Sequence, residues 1–243
     1  MTNTSSTPGS SLRLFMVDET NVVRDSWSGI GPELALFDAL DELFTEWPNK
    51  DRGLLDGESK YFALRFVARH QLYQAFTALL RRHTSAAFSS SRIGVEAAFY
   101  AAMISGGFMS ESDYLHDDAK RAGISRQARN AIKAGKAIPS MVKSLLEAMD
   151  FLSSVGPHAE PKAWGRSMTT TEAIVSMSLF DRFDDEKQFN YFFLSLLWYG
   201  SLTLKTFLNI ARDDFQIDTS TLLTSLEKWE AQADARRIEL GFS

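Results

Sequence analysis

The 243-residue sequence contains no cysteine and only four histidines. The absence of cysteine excludes a disulfide scaffold, a thiolate zinc site and a cysteine nucleophile. It also suits a reducing compartment, so we expect the protein in the cytoplasm. Because histidine is so scarce, each histidine can be weighed separately as a candidate for proton transfer.

Motifs that mark the common enzyme classes are also missing. The sequence has no Walker loop, no glycine-rich dinucleotide turn after a strand, no His-Glu-x-x-His and no Gly-x-Ser-x-Gly. The repeated Glu-x-x-His of di-iron bundles is absent too. We therefore expect neither a metal nor a cofactor, and whether the protein is an enzyme stays open.

The chain shows no sign of membrane targeting. Residues 1–11 are rich in Ser and Thr and lack the positive start and apolar stretch of a signal peptide, so we predict a disordered tail. The longest apolar segment, residues 189–210, carries only Lys205 as a charge, but six polar residues interrupt it. Those interruptions favour a buried helix of a soluble bundle over a membrane span.

Hydrophobic residues recur at helical spacing along most of the sequence. An example is the set Leu36, Leu40, Leu43 and Phe44, which follows Pro32 at a predicted helix start. We predict an all-α, single-domain bundle of about seven to nine helices over residues 32–243. Residues 12–31 are predicted as an extended arm, and residues 169–183 are ambiguous because Thr and Val also favour strands.

A basic segment stands out in a chain whose net charge is −5. Between Ala119 and Leu146 there are seven basic residues and no acidic one. A charge run of this kind is usually a solvated face, but it can also bind phosphates. If the segment binds RNA or a partner protein, the predicted nucleic-acid-binding residues are Arg126, Arg129 and Lys133.

Arg92 and Glu96 lie four residues apart in a predicted helix, so their side chains share one face. Apolar and small neighbours predict that the two side chains are buried and paired. Two interpretations follow. The pair either fixes helix packing, or Arg92 binds an anion while Glu96 orients it or acts as a base.

Two histidines are candidates for catalysis. His158 follows Gly156 and Pro157 in a stiff loop, and an imidazole there can exchange protons near neutral pH or simply fix the turn. Arg65 and His70 match the arginine-to-histidine spacing of HEPN ribonucleases, but the spacing is non-specific, and two polar residues on a long helix are the favoured interpretation. His83 and His116 are interpreted as helix-terminal and solvated residues.

The stretch from Ala87 to Ala97, preceded by residues 72–80, resembles the helical core of an uncharacterised bacterial family that is distantly HEPN-like. That family pairs a Leu-x-Arg-x-x-x-Glu helix with a later Ser-to-His loop, similar here to Ser154 through His158; this chain has Ser90 in place of the leucine. The resemblance implies a helical bundle in which Arg92, Glu96 and His158 form the site.

Two functions follow from these observations. The preferred one is a regulatory or binding module of unassigned partner. The alternative is a metal-independent HEPN-like ribonuclease, with His158 or His70 as proton carrier and Arg92 or Arg65 as phosphate clamp. A nuclease needs these side chains to converge in a cleft, often across a homodimer, whereas a binding module needs only a groove or an exposed patch.

Overall fold

The computed structural model describes residues 10–46, 59–155, 168–171, 174–177, 183 and 186–242. Within these residues the chain forms nine α-helices and one antiparallel hairpin, which confirms the predicted all-α fold. The helices are α1 (Ser10–Ser28), α2 (Gly31–Thr45), α3 (Ser59–Leu80), α4 (Thr84–Ser105), α5 (Glu111–His116), α6 (Asp118–Lys133), α7 (Val142–Val155), α8 (Glu186–Phe215) and α9 (Ser220–Glu239).

The hairpin pairs β1 (Met168–Thr171) with β2 (Ile174–Met177), and Thr169 lies opposite Ser176. It falls within the segment that the sequence left ambiguous. The run of threonine in β1 and the β-branched residues of β2 have higher strand than helix propensity, which accounts for the local outcome.

Residues 12–31 do not form the predicted extended arm, because α1 is helical from Ser10 to Ser28. Its less exposed residues recur at helical spacing and include Phe15, Glu19, Val22 and Ser26. Valine costs little in a helix. The packing of this face of α1 against α3 therefore outweighs the β-propensity on which the prediction of an extended arm depended.

The centre of the bundle consists of α3, α4 and α8. Small residues let α3 and α4 pack closely, since a Cβ added to Gly94 would lie 3.4 Å from the carbonyl oxygen of Ala68. On α8, a Cβ added to Gly200 would lie 3.0 Å from Leu72 and 3.1 Å from Leu40. A side chain at Gly200 would therefore crowd Leu72 and Leu40, whereas a Cβ at Gly94 would make only an ordinary van der Waals contact.

Three buried hydroxyls of α8 are satisfied within the helix itself. The hydroxyls of Ser201, Thr203 and Thr206 are buried and donate to backbone carbonyls one turn earlier. Helix α8 can therefore be buried without leaving these hydroxyls unpaired. No helix among the described residues is both long and apolar enough to cross a membrane.

Polar contacts fix α2 between its neighbours. On one side, Arg69 of α3 forms a bidentate ion pair with Asp41 at 2.7 and 2.8 Å, and the Tyr73 hydroxyl donates to the same carboxylate. Burial would raise the pKa of Asp41, but the hydrogen bonds from Arg69 and Tyr73 outweigh it and hold the pKa below its usual value. Asp41 therefore stays ionised in the folded protein at neutral pH.

On its other side α2 is fastened to α9. The Trp229 indole donates to the backbone carbonyl of Leu36 at 2.8 Å. Arg236 donates through Nε to Glu33, whose carboxylate is fully buried in the first turn of α2, at 2.7 Å. These two contacts hold α9 against α2.

Candidate binding sites

Arg92 and Glu96 are paired as predicted, but they are not buried. Arg92 Nη2 lies 2.8 Å from Glu96 Oε1, and the side chains are 39% and 27% exposed. Both lie on the outer face of α4 beside the exposed Ile93, while the small residues of α4 occupy its inner faces. The prediction of burial was wrong because the neighbouring alanines do not surround the pair.

The Arg65 and His70 side chains do not converge. Five residues on an α-helix place them about 140° apart around its axis. Arg65 donates to the backbone carbonyl of Phe44 and so ties α3 to α2, whereas His70 is exposed, with its ring nitrogen 3.5 Å from the Gln74 amide. The structure thus gives this motif no shared cleft.

His158 lies outside the described residues, so its contact with Arg92 or Glu96 stays a prediction. Among the described histidines, no hydrogen bond or ion pair reaches either residue. His83 lies 3.5 Å from Glu19. His116 ends α5 beside acidic residues, yet in the described part of the chain no group of three or more histidine or acidic side chains could hold a metal ion.

The basic segment is only partly available for binding. Arg129, a predicted nucleic-acid contact, forms a bidentate ion pair with Asp150 of α7 at 2.7 Å through each terminal nitrogen. The hydrogen bond to Asp150 raises the pKa of the Arg129 guanidinium. Lys120, Arg121 and Lys143 also have acidic partners. The segment has no acid of its own, but Asp113 and Asp150 come from neighbouring helices, and Asp118 and Glu147 lie just outside the segment on the same helices as Arg121 and Lys143.

Arg126 and Lys133 are exposed and, like Lys136, have no ion pair within the described residues. Arg126 and Lys136 line one side of a shallow cavity of about 490 Å³ together with the amides of Gln127 and Asn130. Unpaired cations beside amide donors form an anion-binding surface. Of the three predicted contacts, only Arg126 lines this cavity, and nucleic-acid binding by these residues stays a prediction.

A second cavity, which we call the aromatic groove, lies between α8 and α9 and has a volume of about 390 Å³. Its defining residues come from one stripe of α8 and the facing side of α9: Tyr191, Ser195, Trp198, Tyr199, Asp234 and Arg237. The spacing of the α8 residues corresponds to successive turns of one helix face. The groove is thus built on two regular elements rather than on loops.

Aromatic rings support one another along the groove. Trp198 is 47% exposed, and its ring packs edge-on against Tyr199 with the centroids 5.3 Å apart. Phe242 packs against Tyr191 at 4.3 Å, beyond the end of α9. Burial, with a further contribution from Tyr191, raises the pKa of Tyr199, so its hydroxyl remains protonated at neutral pH.

The groove also contains one cation and one anion. Arg237 lies 3.5 Å from Asp234, and the two side chains are 42% and 59% exposed. The Nε atom of Arg237 is nevertheless buried and has no hydrogen-bond partner within the described ranges. A buried guanidinium nitrogen without an acceptor is costly, so a ligand oxygen at this position would stabilise it.

Sequence reasoning missed the aromatic groove because it assigned the apolar residues of α8 to the core. The available signal was a second α8 stripe, in which Tyr191, Ser195 and Trp198 alternate aromatic with polar character. That stripe alone does not reveal its partner. Arg237 lies 39 positions after Trp198 and comes close to the α8 stripe because α9 packs back against α8.

Comparison with known protein families, with curated proteins and with solved structures finds no match to this chain. The resemblance to a HEPN-like bacterial family therefore stays a hypothesis that depends on the residues from Ala87 to Ala97 and on the later loop.

Proposed function

We propose that this chain is a non-catalytic helical binding module and that the aromatic groove binds a small aromatic anion. The observation that carries the proposal is the half-exposed Trp198 in the same groove as Arg237, whose Nε lacks an acceptor within the described residues. Binding sites of this kind combine apolar walls with a few polar groups that orient the ligand.

The chemistry of the groove defines the ligand class. A planar ring stacks on an exposed tryptophan, and such stacking contributes about 1–3 kcal/mol per ring. An anionic group on the ligand accepts hydrogen bonds from Arg237, and a charged hydrogen bond contributes about 1.5–3 kcal/mol. The volume of about 390 Å³ lies within the range of about 300–1,000 Å³ typical of small-molecule sites.

Isothermal titration calorimetry with defined aromatic anions tests the proposal. The probes are the four common nucleoside monophosphates, indole-3-acetate and 4-hydroxyphenylacetate. We expect at least one probe to bind, and Arg237→Gln and Trp198→Ala to weaken it by about tenfold or more each. The matched controls, Arg212→Gln and Trp27→Ala, change exposed residues outside the groove and should bind as the wild type does. Failure of every probe, or equal loss in the controls, would contradict the proposal.

A second candidate function is RNA binding through α6 and the turn that follows it, favoured by the charges of Arg126, Lys133 and Lys136, which have no ion pair within the described residues. Replacing all three with glutamine should reduce the salt dependence of single-stranded RNA binding by about 0.7 slope units per lost phosphate contact. The control is Lys120→Gln, because Lys120 is already paired with Asp113. RNA binding with an unchanged salt slope in the triple variant would exclude α6 as the interface.

Nothing in the described residues favours the ribonuclease alternative, whose preferred proton carrier, His158, lies outside them. We assign the module to the cytoplasm as part of the same proposal, because a sequence without cysteine suits a reducing compartment.

A further inference from the structure

A smaller cavity, which we call the polar cavity, lies where the end of α1, the end of α3 and the start of α8 meet. Its volume is about 240 Å³. The residues that matter for its chemistry are Asp25, Ser26, Arg82, Phe183, Glu186 and Asn190. It shares no residue with the aromatic groove, so its function is independent of the function proposed above.

Asn190 is the first indication that the polar cavity takes a ligand. The residue is only 6% exposed, and its side-chain Oδ1 has no hydrogen-bond partner among the described residues. Buried side-chain oxygens are nearly always paired, so an exception that lines a cavity indicates a missing donor. The Asn190 amide can accept a hydrogen bond from a ligand N–H group.

Arg82 supplies a positive charge from the corner between α3 and α4. Its backbone has φ = +56°, a left-handed conformation that non-glycine residues rarely adopt. Its Nε donates to the buried hydroxyl of Ser26 at 3.4 Å, and the guanidinium carbon lies 5.9 Å from the centroid of the Phe183 ring. No acidic side chain in the described part of the chain pairs with Arg82, so its terminal nitrogens can bind a carboxylate.

Glu186 supplies a negative charge on the other side of the polar cavity. It lies in the first turn of α8, four residues before Asn190, so both side chains share one helix face. A Cβ built on Gly29 would lie 3.8 Å from the Glu186 carboxyl carbon, which places the carboxylate against the turn between α1 and α2. Glu186 has no ion pair within the described residues.

We propose that the polar cavity binds a free α-amino acid. The ligand ammonium group donates to the Glu186 carboxylate and to Asn190 Oδ1, and the ligand carboxylate accepts from the terminal nitrogens of Arg82. The rings of Phe183 and Phe189 pack against the ligand side chain. A volume below the range of about 300–1,000 Å³ typical of drug-sized ligands fits a molecule of this size.

Zwitterion recognition can be separated from binding of either charge alone. We would first measure the melting temperature of the full chain with each of the twenty standard L-amino acids at millimolar concentration. The best ligand is then compared by calorimetry with its analogues that lack one charge; for leucine these are isopentylamine and isocaproate. We expect each analogue to bind about tenfold more weakly or worse, because each loses a charged hydrogen bond.

Three variants and one control assign the binding to the polar cavity. Arg82→Gln, Glu186→Gln and Asn190→Leu should each weaken amino-acid binding by about tenfold or more. Arg81→Gln is the control, because Arg81 is the adjacent arginine and pairs with Glu19 instead. Glu186 is exposed, so its variant should fold even if the substitution of the buried Asn190 prevents folding.

The inference is overturned if none of the twenty amino acids raises the melting temperature or binds in the calorimeter. It is also overturned if the amine or the acid analogue binds as tightly as the amino acid, since the cavity would then recognise a single charge. Equal affinity in Glu186→Gln, Arg82→Gln and the wild type would place the binding elsewhere and would contradict it as well.

Discussion

Glu33 and Arg236 form an ion pair whose two side chains are unequally buried, so removing one or the other should change the stability of the bundle by different amounts. Glu33 is fully buried, whereas the Arg236 side chain is 25% exposed and also contacts Glu239 at 3.1 Å. Removing the arginine therefore leaves a buried carboxylate without its cation. Removing the glutamate leaves an arginine that still reaches water and Glu239.

The unequal burial of Glu33 and Arg236 determines how much each substitution should lower the free energy of unfolding. Removing one partner of a buried pair typically costs about 3–5 kcal/mol, and we expect about 3 kcal/mol for Arg236→Met because its pair is open to solvent on one side. For a chain of this size that corresponds to a fall in melting temperature of about 6–12 °C. Glu33→Met should cost about 1 kcal/mol or less, and the double variant should lie within about 1 kcal/mol of the wild type.

Urea denaturation followed by circular dichroism at 222 nm, the wavelength of the helical signal, gives the free energy of unfolding for all four proteins. Equal losses for Arg236→Met and Glu33→Met would refute the argument from unequal burial. An unchanged free energy of unfolding in Arg236→Met would refute the claim that this pair fastens α9 to α2.

Four further substitutions test other parts of the structure. Arg92→Ala should cost only about 0.5 kcal/mol in a urea melt, because its pair with Glu96 is open to solvent, and a loss of 3 kcal/mol or more would restore the buried-pair interpretation. Asp41 has a lowered pKa in the folded state, so it stabilises the protein above its unfolded pKa of about 3.9 and loses that effect as the pH falls through the folded value. The stability deficit of Asp41→Asn should therefore shrink between pH 7 and pH 3, and a constant deficit would contradict the ionic role. Gly200→Ala should lower stability by about 1–2 kcal/mol, whereas Gly94→Ala should be nearly neutral, and equal melting temperatures would show that the α8 contact relaxes freely.

The fold class could be predicted from the sequence because hydrophobic residues recur at helical spacing along most helices, and glycine or proline residues mark where many of those helices begin or end. Leu36, Leu40 and Phe44 are buried on the inner face of α2, as their spacing predicts. The prediction of an extended arm over residues 12–31 was wrong for a physical reason. Local propensity in α1 is weak, so the contacts of Glu19 and Ser26 with the α3 corner decide its conformation, and such contacts are not visible in a single segment.

The candidate sites were harder to predict than the fold because each depends on side chains that are distant in sequence. Asp150 neutralises Arg129 across 21 positions, and Arg236 reaches the buried Glu33 across 203 positions. Periodicity can assign a residue to a helix face, but it cannot identify which helix faces it. The Arg92–Glu96 pair was predictable as a pair because it is local, whereas its exposure depended on neighbouring helices.

An NMR titration tests most directly whether the aromatic groove is the binding site. The sequence has five tryptophans, of which Trp198 and Trp27 are similarly exposed at 47% and 52%. On addition of the aromatic anion that binds most tightly, the indole N–H signal of Trp198 should shift while that of Trp27 stays in place. If the Trp198 signal stays in place with every probe, or if the Trp27 signal shifts equally, the proposed binding function of the groove is contradicted.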